Sequence, residues 1–142
     1  MKNYMFLFVA IFNLQISFSQ SETSLIEKTL KNYTEGSSYN KPKMLESAFY
    51  SKATLYLTSK KGFNVYSPKE YVAFFKNSEI GKFNGRNSKV LAIEVIKDIA
   101  TAKVEISGPD RKWVYIDLFL LKKIDQNWVI ISKTATKVSD DK

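Results

Sequence analysis

From residue 88 onward the chain alternates, and this constrains the fold more than anything else in it. "SKVLAIEVI" (88–96), "IATAKVEIS" (99–107), "KWVYIDLFLLKK" (112–123) and "WVIISKTATKV" (128–138) are long runs rich in β-branched and aromatic residues. Only "KD", "GPDR" and Ile124 with "DQN" separate them. Connections this short cannot hold a crossover helix, so successive runs must pair antiparallel as a meander. In the second run Ala100, Ala102, Val104 and Ile106 face one way, and Thr101, Lys103 and Glu105 face the other. A sheet with one apolar face has to be covered on that face.

The cover must come from upstream. "SLIEKTLKNYTEG" spaces Leu25, Ile26, Leu30 and Tyr33 along one helical face, with Ser24 and Glu27 as a capping box and Gly36 as a stop. "NKPKMLESAF" reads as a second helix, with Asn40 as its cap and Pro42 in its first turn. "ATLYLT" (53–58) is a strand, and "FNVY" pairs back on it after "KKG". "SPKEYVAFFKN" starts a third helix, with Ser67 capping, Pro68 at the first helical position and Glu70 closing the box. The expectation is an α+β domain in which three N-terminal helices pack on a curved antiparallel sheet and leave a conical hollow at its open end.

Residues 1–19 are set apart from the fold. Lys2 precedes an apolar run from Tyr4 to Phe12 that weakens towards Phe18, and Ser17 and Ser19 are small residues suited to a cleavage site. This pattern reads as a signal peptide. Asn13 and Gln15 break the run, which falls short of the ~20 apolar residues that span a bilayer. Cleavage after Ser19 leaves 142 − 19 = 123 residues, 20–142, as one exported domain, secreted or periplasmic. No cysteine follows to carry a lipid anchor or a disulfide, and a domain of this size folds without staples.

The net charge of +8 raises the question of nucleic acid, but only Arg86 and Arg111 of the 22 basic residues are arginine. Arginine supplies most bidentate phosphate and base reading, so a solvated lysine surface is the better account, with no nucleic-acid partner. With no histidine and no cysteine, thiol nucleophiles, histidine bases and the usual metal ligands are excluded; no cofactor and no metal are expected. Glu35, Glu46, Glu94, Glu105 and Asp98 are the candidate bases left, each at a helix end, strand exterior or turn; Glu94 shares a face with Val90, Ala92 and Ile96.

The order of elements, carried by "LKNYTEG" (30–36), "AFYSKATLYL" (48–57), "SPKEYVAFF" (67–75) and "YIDLFLLKKIDQNWVIISK" (115–133), resembles the nuclear transport factor 2-like superfamily. The likeness is to its lumazine-binding-like and polyketide-cyclase-like branches, and covers nearly all of residues 20–142. It implies a cone with a ligand cavity, often dimeric through the outer sheet face. Ketosteroid isomerases share this superfamily; their site pairs a helix tyrosine with a protonated aspartic acid on a late strand, and an aspartate on the first strand moves the proton. By the resemblance, the tyrosine falls on Tyr33, the acid on Asp117 and the base on Leu57.

Asp117 stands alone in an apolar strand, and two accounts fit. Kept neutral by burial, it donates a hydrogen bond to a ligand oxygen beside Tyr33. Alternatively it is satisfied within the sheet: a two-residue turn sets Thr134 opposite it, and a three-residue turn sets Ala135 or Lys133 there. By parity Tyr115 and Phe119 share its side, and Phe49, Leu57 and Phe74 complete the expected lining. The function that follows is binding of a small, apolar ligand with an oxygen acceptor, without catalysis, because the base position is leucine. The alternatives are an isomerase or dehydratase acting on a carbonyl compound with Asp117 as acid, and a dimeric protein-interaction module.

Overall fold

The computed structural model describes residues 22–59, 61–75 and 79–139; the expected signal peptide lies outside them. Helix α1 occupies residues 22–38. It is followed by α2 (Pro42–Ser47), β1 (Phe49–Ser59), β2 (Gly62–Tyr66) and α3 (Pro68–Ala73). The meander is β3 (Asn87–Ile96), β4 (Ile99–Ser107), β5 (Val114–Ile124) and β6 (Asn127–Lys137). One six-stranded sheet results, in the order β2-β1-β6-β5-β4-β3. All neighbours are antiparallel except β1 and β6, which the helical segment and the whole meander separate in sequence. The fold is α+β, with helices covering the concave face of a curved, unclosed sheet.

The alternation in β4 is obeyed: Ala100, Ala102, Val104 and Ile106 are buried. They join Ile26, Leu30 and Tyr33 of α1, Leu55 of β1 and Leu121 and Ile130 of the last hairpin in one core. At about 25 cal/mol per Å2 of apolar surface, this shared core is the main force holding α1 to the sheet. Polar contacts set its register. Thr29 Oγ1 donates to the Trp128 carbonyl at 2.8 Å. Glu22 accepts from Trp128 Nε1 and from Lys123 Nζ, both at 2.7 Å.

The capping box of α3 forms as expected, with the Glu70 carboxylate accepting from Ser67 N at 2.7 Å. Three other helix signals do not. Ser24 lies inside α1 and is not its cap. Gly36 does not end α1, which continues to residue 38. Glycine is needed there because a Cβ would lie 2.5 Å from the Leu45 backbone nitrogen, so α2 packs directly on the α1 backbone. Asn40, with φ of 51°, takes the left-handed position that follows the helix. Nor does Asn40 cap α2, whose N-cap is Lys41 without a side-chain bond. The buried Asn40 amide instead donates to the carbonyls of Glu79 (3.3 Å) and Lys82 (3.1 Å).

The β5–β6 turn is the two-residue Asp125–Gln126, both at positive φ, which pairs Ile124 with Asn127. Carried straight up the hairpin, that register would set Thr134 opposite Asp117. A bulge between Leu120 and Leu121 shifts it by one residue, and Ala135 stands opposite Asp117 instead. This single extra residue decides which β6 side chains face the hollow.

Candidate functional site

The bulge brings Lys133 inward. It pairs with Phe119 on β5 and Leu55 on β1, one step along the strands from the row Leu57–Ala135–Asp117–Val104. Lys133 and Asp117 are therefore diagonal neighbours on one face. Each is only 3% exposed, and Lys133 Nζ lies 3.1 Å from Asp117 Oδ1. The other carboxylate oxygen, Oδ2, accepts from the Tyr33 hydroxyl at 2.6 Å. A phenol bond this short is the length of a charge-assisted contact, in keeping with an ionised carboxylate facing an ammonium.

Tyr33 has a single hydroxyl hydrogen, and Asp117 takes it. The Tyr71 hydroxyl, 2.9 Å away, must then donate to Tyr33. Burial, followed by the Asp117 charge, holds the Tyr33 phenol well above its ordinary range, so it stays protonated. The Lys133 ammonium also faces the rings of Tyr71, Tyr33 and Phe119 at 5.6, 5.7 and 5.9 Å, within cation–π range. Asp117 is thus satisfied at both oxygens by protein groups.

Above this cluster opens a cavity of about 160 Å3, lined by Leu57, Thr58, Tyr71, Arg86, Ile106, Tyr115, Asp117, Lys133 and Ala135. Of the lining residues expected from the sequence, Leu57, Tyr115 and Asp117 reach it. Tyr33 touches it through Asp117 and Tyr71 rather than as a wall. Phe49 and Phe119 are buried against the Tyr33 ring, at 5.9 and 4.9 Å between centroids, and belong to the floor beneath. Phe74 is not a lining residue. It falls just past the end of α3, is 58% exposed, and packs on the edges of Tyr66 and Tyr71. Glu94 is exposed on the outer face, paired with Thr101, well away from the hollow.

A family profile described as "Putative lumazine-binding" matches residues 21–135. The chain belongs to that family. Its fold is shared with solved structures, among them an NTF2-like protein of unknown function from Shewanella baltica. That protein has 18% identity over 84% of this chain and 96% of its own, with a TM-score of 0.73. An NTF2-like protein of unknown function from Methylobacillus flagellatus has 22% identity over 84% and 94%, at 0.72. A ketosteroid isomerase-like protein from Erwinia carotovora atroseptica has 14% identity over 82% and 96%, at 0.61. A search of the curated proteins gives no match. Sequence and structure together place the chain in the nuclear transport factor 2-like superfamily.

Within this lumazine-binding-like chain, Leu57 lies in the same cross-strand row as Asp117, one strand beyond Ala135. Leu57 therefore presents an apolar side chain to the cavity on the same row as Asp117. Tyr71 and Arg86 are among the lining residues that the sequence did not reveal. Tyr71 was hidden as an ordinary helix aromatic in "SPKEYVAFF". Arg86 was hidden in a loop without periodicity. Its placement is tertiary: the Asn84 amide donates to the Ser37 carbonyl (2.7 Å) and Asn40 Oδ1 (3.0 Å), and Asn84 Oδ1 accepts from Arg86 N (3.1 Å). Gly85, at φ +88°, turns the chain between them. The only available signal was the paired asparagines, Asn40 and Asn84, far apart in sequence.

Proposed function

We propose that the protein is an exported small-molecule-binding protein that holds its ligand in the mouth of the cone without transforming it. The observation that carries this is the state of Asp117. Both of its oxygens are engaged, by Lys133 and Tyr33, beneath a cavity with apolar and cationic walls and leucine at the base position. A general acid needs a proton to give, whereas one oxygen of Asp117 faces an ammonium and the other accepts from a phenol. Export rests on the N-terminal pattern of Lys2, the apolar run and Ser17/Ser19. The test is native mass spectrometry of the protein as isolated from its own cells, which should reveal a copurifying small molecule on a chain beginning at Gln20. Incubation with enone and hydroxycarbonyl compounds should give no product. Turnover that disappears in Asp117→Asn would replace this reading with the isomerase or dehydratase.

The outer sheet face supports a homodimer in addition. Leu118 and Leu120 on β5 are 46% and 41% exposed, side by side with Thr101 and Lys103 on β4 and Ser132 and Thr134 on β6. An apolar stripe within a polar rim suits self-association. Sedimentation should show a dimer that Leu118→Glu/Leu120→Glu dissociates; a wild-type monomer at micromolar concentration would remove the idea.

A further inference from the structure

The cavity's uncompensated charge is cationic. Tyr33 gives its hydrogen to Asp117 and Tyr71 gives its hydrogen to Tyr33, so neither donates to a guest. Asp117 and Lys133 offset each other's charge. That leaves Arg86. Among the described residues no carboxylate pairs with it, and its Nε is buried without a hydrogen-bond partner. Its guanidinium carbon lies 5.6 Å from the centre of the Phe75 ring and 5.9 Å from that of Trp113, within cation–π range of both. Glu35, which borders a neighbouring surface groove with Arg86, is itself paired with Lys31 at 3.5 Å. Leu57, Ile106, Ala135 and the ring of Tyr115 give the cavity its apolar surface.

We propose that the cavity is a site for a single-ring organic monoanion, whose carboxylate or comparable oxyanion is gripped by Arg86 while its ring lies against Leu57, Ile106 and Tyr115. This deepens the binding reading above and rests on it. Size agrees, since a cavity of ~150 Å3 takes a benzene ring and this one is about 160 Å3. Charge agrees, because one uncompensated cation remains beside a neutralised pair. Geometry agrees, because the planar guanidinium fork matches a carboxylate and forms charge-assisted bonds with it. A neutral carbonyl would leave the Arg86 charge unmatched.

The test uses two isosteric probes, benzoate and benzamide, titrated into the protein by calorimetry and by backbone NMR. Benzoate is expected to bind at least about tenfold more tightly than benzamide, with shifts centred on Arg86, Tyr71 and Tyr115. Arg86→Gln is expected to bring benzoate down to the benzamide level, and Arg86→Lys to leave an intermediate preference. Equal binding of the two probes, or a preference that survives in Arg86→Gln, overturns the anion site while the pocket reading stands. If neither probe binds the wild type, both readings fall. Should Arg86→Gln fail to fold, as a melt would show, the wild-type ratio and the Arg86→Lys ratio decide the matter.

Discussion

Asp117→Leu is the most telling perturbation of this protein, because it separates an ionised pair from a neutral acid. Asp117 and Lys133 are each 3% exposed and 3.1 Å apart. Removing the carboxylate strands a buried ammonium whose remaining neighbours are three aromatic rings. Breaking a buried pair from one side costs about 3–5 kcal/mol. The Tyr33 hydroxyl also loses its acceptor, but it can turn and donate to Tyr71, so little is added. For a domain of this length each kcal/mol lowers Tm by roughly 3–4 °C, giving a fall of about 10–20 °C. The double variant Asp117→Leu/Lys133→Met removes both charges and fills the space with apolar groups of similar volume. It should regain at least half of the loss, since replacing a whole buried pair is often neutral. Thermal and urea melts of the wild type, the single variant and the double variant supply the measurement. A single variant as stable as the wild type would refute the reasoning, because a neutral carboxylic acid can be replaced by leucine without stranding a charge. A double variant no better than the single would refute it equally.

Two further outcomes follow from the packing of α1. Gly36→Ala normally stabilises a helix interior, but here the added methyl meets the Leu45 backbone at 2.5 Å; a loss of about 1–3 kcal/mol is expected in urea melts, and any gain would contradict the close approach. Glu22 is held below its ordinary value near 4.5 by its bonds to Lys123 first and Trp128 second. A depressed carboxylate stabilises the fold above its unfolded pKa and loses that contribution as pH falls through the folded one. Glu22→Gln should therefore be less stable than the wild type at pH 7, with the gap in Tm closing below about pH 4. A gap that widens on acidification would reverse the assignment.

What the sequence determined by itself is what is local or periodic. Period-two alternation set the faces of β4 and β5, and so turned Asp117 inward with Tyr115 and Phe119, because side chains on a strand have only two directions. The Ser67–Glu70 box set the start of α3, because capping is completed within four residues. The β5–β6 turn was placed only as a loop of two or three residues, and the structure settles it as Asp125–Gln126. What only the tertiary structure decided is everything that depends on a count carried over distance. One bulged residue on β6 exchanged Thr134 for Ala135 opposite Asp117 and turned Lys133 into the hollow; no residue type announces that bulge, since an extra residue in a ladder leaves no pattern in composition or spacing. Gly36 read as a stop until α2 was seen lying on it. Arg86 came to the cavity because Asn84 and Asn40, 44 residues apart, lock a loop onto the end of α1. Hydrogen bonds of that kind have no period and no spacing rule, so the residue that gives the cavity its charge was illegible in the chain that carries it.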